Sequence, residues 1–361
     1  MLNQMAAIVA ENQPDVFLLC GDVFHTAQPS AAVQTMLTDS LMKIHEAHPS
    51  MTIVMTAGNH DSGSKHEIFR TPWRALNVFA IGQLDKENLE QHIVEVPGKG
   101  YVIAVPYANE RSIPEGFFQQ LIDKVNLLNT EGLPVVMMAH TTVKGCDYTG
   151  HDHATEYVVG GVDSLELSEM GEGYDYLALG HIHHEQFVHS GRHNVRYSGS
   201  PIPVSFDECY SHSVSLVEIE KHSDRPVVTT IEIDNLHPLV TLPTNGFAPW
   251  DEVKRLLSQY PDDLASYLRL NVEVEGFLPS DAYQDALSLT NVKKGKFCCI
   301  NAKRKESAQT EARTLTVQEF QSEEPAEIVK RYFEDSGIGF DDELEEIFKE
   351  ALVLIRDDAR N

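Results

Sequence analysis

The sequence lacks the marks of several protein classes. No apolar run approaches the roughly 20 residues of a membrane helix, and no basic stretch followed by an apolar block begins the chain, so neither membrane association nor secretion is expected. The five cysteines include no CxxC spacing, and the one close pair, Cys298 and Cys299, is adjacent. These absences argue against a thiolate zinc site and a disulfide framework, and they favour a reduced, cytoplasmic protein.

Positive charge is also scarce. The 361 residues include 28 Lys and Arg against 55 Asp and Glu, which gives a formal net charge of -27. Taken alone, this balance argues against nucleic acid as a partner, because duplex binding uses Lys and Arg at the phosphates. Metal sites require carboxylates, however, and bound cations reverse the local sign of the charge. The acidity therefore weakens the case for DNA binding without excluding a local groove.

Apolar periodicity predicts helices alternating with strands. The predicted elements are a helix over 2–12, a strand at Val16–Cys20, a helix after Pro29, strands at Thr52–Thr56, Val102–Pro106, Val135–Ala139 and Tyr176–Leu179, and β-meander over Val195–Val217 and Val227–Ile233. This alternation is typical of an α/β sheet.

A composition shift at Leu236–Pro249, with three prolines and a glycine, predicts a domain boundary. Beyond it, a strand at Tyr267–Val274, a helix at Ser280–Leu289 and a strand at Phe297–Ala302 indicate a small α+β unit. Two helices are predicted in the tail, the second with an apolar stripe from Leu344 to Ile355. The predicted domains are therefore residues 1–240, 241–310 and 311–361.

Four polar segments each follow an apolar strand. They are Gly21-Asp22-Val23-Phe24-His25, Gly58-Asn59-His60-Asp61, Ala139-His140-Thr141 and Gly180-His181-Ile182-His183. Because ligands gather at the carboxyl ends of strands in α/β sheets, these segments are expected to converge.

The side chains of these segments form a coherent set of metal ligands. Asp22 can bridge two cations and Asn59 offers an amide oxygen, and the imidazoles come from His140, His181 and His183. This mixture suits Mn or Fe better than a closed zinc site, and two such cations could clamp a phosphodiester and activate water.

A catalytic histidine is predicted beside the ligands. His60 could stabilise charge on the scissile phosphate or protonate the leaving oxygen, with Asp61 orienting its ring from behind. Any one of these histidines is more often a satisfied polar residue than a functional one, and the prediction depends on the combination.

These motifs resemble those of the calcineurin-like metallophosphoesterase superfamily, and within it the nuclease branch of SbcD and its archaeal and eukaryotic relatives. The residues that carry the resemblance are Gly21-Asp22-Val23-Phe24-His25 with Pro29-Ser30, Gly180-His181-Ile182-His183 with Gln186, and Tyr197-Ser198-Gly199-Ser200-Pro201 with Phe206 and Glu208. The resemblance implies an α/β four-layer sandwich, in which helices flank two mixed β-sheets, with a small α+β capping domain and C-terminal helices.

The resemblance also implies residue roles. Asp22 would bridge both metals, Asn59, His140 and His181 would complete the second metal, and His183 would ligate the first. His60 would be the catalytic histidine, and His25 would position the DNA strand and phosphate. The implied cofactor is a pair of Mn²⁺ ions, with Mg²⁺ as the alternative.

The implied function is that of a DNA nuclease subunit. Such a subunit combines 3′–5′ exonuclease activity on duplexes with endonuclease activity on single strands and hairpins, in DNA end processing, replication, recombination and repair. Its partners would be DNA and an SbcC-type, SMC-like ATPase that binds the tail, with a homodimer of this chain inside a heterotetramer. Basic residues that could touch DNA are Lys65, Lys144, Arg192, Arg196, Lys293, Lys294, Lys296, Lys303, Arg304 and Lys305.

One departure from the family pattern concerns the first metal. Members of this branch open with a strand ending in Asp-x-His, whereas here Met1 falls inside the predicted first helix. We therefore expect a fragment or a truncated gene product, with weak first-metal binding through Asp22 and His183 and little nuclease activity. The sheet is expected to expose backbone groups and apolar surface beside Val16–Cys20.

Two other functions remain open from the sequence. A phosphatase or cyclic-nucleotide phosphodiesterase would use the same fold, although His25 and the additional C-terminal domain disfavour it. A non-catalytic scaffold that binds the ATPase through its tail would need no metal at all.

Overall fold

A computed structural model describes residues 1–68, 70–147, 164–189 and 192–305, together with four helical residues further on, Val329, Lys330, Leu344 and Phe348. Residues 1–304 form one compact unit and residues 305–361 a second. Apart from those four positions, the predicted tail helices lie outside the described residues. No helix in the described part of the chain is both long and apolar enough to cross a membrane.

The first unit contains seven α-helices and fifteen strands within its described residues. The helices are α1 (Leu2–Asn12), α2 (Ala31–Ala47), α3 (Gly63–Ile68), α4 (Arg70–Arg74), α5 (Phe117–Leu128), α6 (Trp250–Gln259) and α7 (Ala282–Thr290). The strands are β1 (Val16–Cys20), β2 (Thr52–Thr56), β3 (Val78–Ile81), β4 (Ile93–Val96), β5 (Gly100–Val105), β6 (Val135–His140), β7 (Tyr176–Gly180), β8 (Gln186–Phe187), β9 (Val195–Tyr197), β10 (Ser213–Glu218), β11 (Val227–Glu232), β12 (Leu239–Leu242), β13 (Ala248–Pro249), β14 (Tyr267–Val274) and β15 (Lys296–Arg304).

Two sheets form the centre of this unit. The smaller sheet has the order β1-β2-β3, with parallel pairing throughout. The larger sheet has the order β4-β5-β6-β7-β9-β8 and is mixed, because β4 and β8 pair antiparallel to their neighbours. The carboxyl ends of the parallel strands β1, β2, β6 and β7 carry the four polar segments predicted to converge.

Successive side chains of a strand point to opposite faces of the sheet, so their contacts show which layer lies on each face. In β2, Ile53 packs with apolar residues of α1 and α2, whereas Val54 packs with β5 and Met138 of β6. On the far side of the larger sheet, Met137 packs in a cluster that includes much of α5. The order is therefore helices, small sheet, large sheet, helices, which confirms the predicted α/β four-layer sandwich.

The β-meander predicted over Val195–Val217 was wrong. Its beginning, β9, runs parallel to β7 in the larger sheet, and the residues that follow, all of them described, form no strand until Ser213. Pro201 and Pro203 in this stretch lack the backbone N–H that a strand ladder requires. The chain resumes pairing in β10, which forms an antiparallel ribbon with β11.

The small α+β unit forms as predicted. Its central strand β14 pairs in parallel with β12, β13 and β15, and α6 and α7 complete its own apolar core. Arg269 on β14 donates to the Asp207 carboxylate at 2.8 Å, and this ion pair ties the sheet to the segment that precedes β10.

Candidate metal centre and active site

Four strand ends bring the predicted residues to one place. Asp22 follows β1 and Asn59 follows β2, whereas His140 ends β6 and His181 follows β7. The ligands therefore come from both sheets. This convergence is the one predicted from the strand positions.

The donor atoms of these side chains lie close together. Nε2 of His140 lies 3.0 Å from Oδ1 of Asn59 and 3.3 Å from Oδ2 of Asp22. Nδ1 of His181 lies 3.1 Å from the same Asn59 oxygen. One ligand atom each from Asp22, His140 and His181 falls within 4.8 Å of the other two, a spacing that could hold a metal ion.

The His140 tautomer provides a test of whether a cation fits. Nδ1 of His140 lies 2.7 Å from the backbone carbonyl of Cys20, so Nδ1–H donates there and Nε2 keeps its lone pair. That lone pair faces the oxygens of Asp22 and Asn59, which are also electron-rich. A divalent cation bound between them would turn this convergence of acceptors into coordination, and the oxygen and nitrogen donors suit a first-row divalent ion.

Close backbone approach makes the cluster compact. A Cβ on Gly21, whose φ is 84°, would collide with the His140 ring, and a Cβ on Gly58 would collide with the Asp22 carboxylate. Asp22 and His181 themselves have positive φ values of 49° and 93°. Such backbone conformations cost energy in non-glycine residues and are concentrated at functional sites.

The electrostatics keep Asp22 ionised. Burial raises the pKa of this carboxyl, but the adjacent His140 ring and the hydrogen bond from the backbone N–H of His60 outweigh burial and lower the pKa to about 2. Nearby, burial raises the pKa of Cys20 to about 12, so its sulfur stays a neutral thiol rather than a thiolate ligand.

His60 and His25 lie together at the edge of the cluster. Their rings stack with centroids 5.6 Å apart, and Nδ1–H of His60 donates to the His25 carbonyl at 3.1 Å. The backbone N–H of His60 also donates to Oδ1 of Asp22 at 2.9 Å. These contacts place an exposed imidazole beside the donor atoms, with its Nε2 available to another partner.

The role predicted for Asp61 behind the His60 ring was wrong. Its carboxylate instead accepts backbone N–H groups from Val23 at 3.1 Å, Phe24 at 2.9 Å and Gly58 at 2.9 Å. Asp61 therefore ties the loop after β1 to the loop after β2. A carboxylate satisfies several backbone N–H groups at once, and the sequence does not show which groups it will face.

His183 lies outside the group of converging donors formed by Asp22, His140 and His181. Its Nδ1 lies 2.8 Å from Oε1 of Glu208, a buried residue that sequence reasoning did not assign to the site. The available signal was the presence of Glu208 in the segment that resembles the nuclease branch, although nothing there indicated its partner.

Two of the basic residues suggested for DNA contact are buried instead. Arg196 is 5% exposed and pairs with Glu185, and Lys293 is 8% exposed and pairs with Asp262 at 2.6 Å. Both stabilise the fold. A third, Lys65, donates to the Ala27 carbonyl at 3.1 Å and so supports the loop that carries His25.

Comparisons with known proteins show which proteins this chain is similar to. The family model for calcineurin-like phosphoesterases matches residues 1–185. The chain is 28% identical to the D subunit of nuclease SbcCD from Rhodobacter capsulatus over 72% of this chain and 69% of that protein. It is 26% identical to the protein of the same name in Bacillus subtilis, over 60% of this chain and 59% of that protein. The corresponding Escherichia coli K12 protein is 27% identical, over 64% and 60%.

This chain covers less than two thirds of the length of the last two relatives. The family match includes 185 of the 361 residues, which is more than half of the chain. It extends over all four polar segments, from Gly21 to His183, so every predicted ligand lies inside it. The chain therefore belongs to the calcineurin-like phosphoesterase family.

Proposed function

We propose that this chain is a manganese-dependent DNA nuclease subunit of the SbcCD type, which hydrolyses phosphodiester bonds in the processing of DNA ends. The observation that carries the proposal is the meeting of Asp22, Asn59, His140 and His181 beside an exposed His60. Similarity to proteins named as the D subunit of nuclease SbcCD supports DNA as the substrate.

The proposed ligand allocation follows the donor chemistry. Asn59, His140 and His181 would hold one cation, His183 the other, and Asp22 would bridge them. When bound, divalent cations supply Lewis-acid stabilisation of the negative charge on the phosphate. Mn²⁺ suits the mixed oxygen and nitrogen donors, with Mg²⁺ as the alternative.

The chain's own side chains would orient the substrate and move a proton. His60, held through Nδ1–H by the His25 carbonyl, would use Nε2 to stabilise the phosphate or to protonate the leaving oxygen. His25, stacked on His60, would position the DNA strand.

The remaining proposals concern the whole assembly. Residues 241–310 would act as the capping domain over DNA, and residues 311–361 would bind an SbcC-type ATPase. The chain would form a homodimer within a cytoplasmic heterotetramer, with 3′–5′ exonuclease and hairpin endonuclease activity. Co-purification of the two chains, with and without residues 311–361, tests the partner.

A cleavage assay tests the catalytic proposal. The purified chain is incubated with end-labelled duplex and hairpin DNA over a range of Mn²⁺ concentrations. His60→Gln is compared with the wild type at high protein concentration, so that slow cleavage can be measured. Loss of a general acid should reduce cleavage at least about a hundredfold. The matched control is His237→Gln, an exposed histidine outside the cluster, which should cleave like the wild type.

The possible outcomes separate the alternatives. Cleavage that needs no metal, or that survives His60→Gln, contradicts the proposal. Turnover of a small phosphodiester without action on DNA supports the phosphodiesterase alternative. Absence of cleavage by a chain that binds no manganese supports the scaffold.

A further inference from the structure

Glu208 is a buried carboxylate whose two oxygens have different partners. The residue is 7% exposed. Oε1 accepts from Nδ1 of His183 at 2.8 Å, whereas Oε2 accepts the backbone N–H of Val204 at 3.2 Å and the hydroxyl of Ser200 at 3.4 Å. Burying a carboxylate is costly unless hydrogen bonds compensate, so this arrangement holds the carboxylate in one orientation.

The same segment also holds the backbone of His183. The N–H of Ser200 donates to the His183 carbonyl at 2.9 Å. Gly199, with φ 75°, comes so close that a Cβ there would lie 2.6 Å from that carbonyl oxygen. Residues 198–208, here called the clasp segment, therefore hold His183 by its main chain and by its ring.

A second histidine lies close to Glu208 on its other side. His212 is 8% exposed, and its Nδ1 lies 2.9 Å from the Ser200 carbonyl. Its Nε2 lies 3.6 Å from Oε2 of Glu208. The carboxylate is thus enclosed by side chains and main chain, which leaves it little freedom to turn away from His183.

The hydrogen bond to Glu208 determines which ring nitrogen of His183 carries the proton. A carboxylate is an acceptor only, so the nitrogen that faces it must be the protonated one. Free neutral histidine favours a proton on Nε2, and the bond to Glu208 reverses that preference. Nε2 then has the lone pair that metal coordination requires.

We propose that Glu208 is a positioning residue that holds His183 in the Nδ1–H tautomer and so presents Nε2 to a divalent cation. The metal part of this inference rests on the proposed function, in which His183 is a ligand of the first metal. The tautomer part concerns the metal-free chain and can be tested independently. His140 offers the internal comparison, since its Nδ1–H is held by the neutral Cys20 carbonyl rather than by a carboxylate.

Nitrogen-15 NMR of the full chain tests the tautomer. The chain is labelled at histidine, kept metal-free at a pH above the usual histidine range, and the His183 signals are assigned with His183→Gln. We expect the wild type to show His183 protonated at Nδ1. Glu208→Ala should shift His183 towards the Nε2–H form, while the His140 signals stay unchanged.

Two further variants separate positioning from folding. Glu208→Gln keeps the volume and an acceptor oxygen, and it should retain much of the Nδ1–H form. Ser200→Ala removes a hydroxyl that lies 3.4 Å from Oε2 of Glu208 and 3.1 Å from Nδ1 of His212, and it should leave the His183 tautomer unaltered. Thermal unfolding of each variant identifies any that does not fold.

Several results would overturn the inference. An Nε2–H tautomer in the wild type does so by itself, whether or not any variant folds. An unchanged tautomer in folded Glu208→Ala also does so. Addition of Zn²⁺, a diamagnetic probe, then tests the metal separately: absence of shifts at His140 and His181 counts against the proposed function and leaves the tautomer result standing.

Discussion

The two proposed metal positions are built in different ways. At one, Asn59, His140 and His181 stand at the ends of strands, and their donor atoms meet with that of Asp22. At the other, His183 lies in the loop after β7, and the clasp segment holds its ring through Glu208. A sheet positions side chains at its strand ends by its backbone pairing, whereas a loop ligand needs an additional partner to orient it.

The strands that supply the ligands differ as well. Every residue of β2 is buried, although a threonine stands at each of its ends, whereas every residue of the wholly apolar β1 is partly exposed. β2 lies between two neighbours and β1 pairs with one in the described sheet. Asp22 therefore extends from the less protected strand and Asn59 from the more protected one.

The largest expected effect separates the two metal positions. His140→Ala removes a donor from the converging cluster and should weaken Mn²⁺ binding there by about a hundredfold or more. His183→Ala should leave the tighter binding event almost unchanged, because His183 lies outside the group of converging donors formed by Asp22, His140 and His181. Isothermal titration of the metal-free chain with Mn²⁺ measures both. Equal losses in the two variants would show that the positions are not distinct.

A smaller effect is expected from the difference between β1 and β2. Ile53 on β2 is fully buried against the helical layer, and Ile53→Ala should lower the free energy of unfolding by about 2–5 kcal/mol. Leu19 on β1 packs against the same cluster but is partly exposed, so Leu19→Ala should cost less. Denaturant unfolding followed by circular dichroism compares them. A larger loss at Leu19 would contradict the assignment of β1 as the less protected strand.

The smallest effect concerns a third histidine that is held, like His140, by a backbone carbonyl. His92 is fully buried, its Nδ1–H donates to Ala104 at 2.9 Å, and its Nε2 accepts the N–H of Asp85 at 2.9 Å. Burial lowers the pKa of His92 below its usual 6.5, even though the hydrogen bond that its ring donates to Ala104 opposes the shift. Between the folded and the unfolded pKa, His92 therefore stays neutral in the folded protein but is protonated in the unfolded chain.

The sign of the pH dependence follows from that difference. Above pH 6.5 the two states bind the same number of protons at His92, and stability is unaffected. As the pH falls below 6.5 towards the folded pKa, the unfolded chain gains the proton first and stability is lost. Unfolding measured from pH 7.5 to 5.5 should show a shallower decline in His92→Gln than in the wild type. His237→Gln, at an exposed site, serves as the control. Identical slopes in all three proteins would contradict the assignment.

Part of the site could be predicted because its residues directly follow predicted strands in the sequence. Gly-Asp, Gly-Asn-His and Gly-His segments after apolar runs identify Asp22, Asn59 and His181, and parallel strands bring such ends together. The small α+β unit was predictable for the same reason, since each element has its own apolar period.

Other features depend on partners that are distant in sequence. Asp61 accepts N–H groups from residues up to 38 positions away, and Glu208 lies 25 positions from His183. Arg196 looked like a free cation until its pairing with Glu185 showed that it is buried. Periodicity contains no information on such pairs, because it reports only which face of an element is apolar.

The sequence by itself determined where the strands lie and which side chains follow them, because alternation and strand-end motifs are properties of short segments. The tertiary structure decided which donors actually meet, which ring nitrogen of His140 carries a lone pair towards them, and that His183 is held by Glu208. These three features arise because the two sheets and the clasp segment pack against one another. They become visible only when residues far apart in the chain are brought within hydrogen-bonding distance.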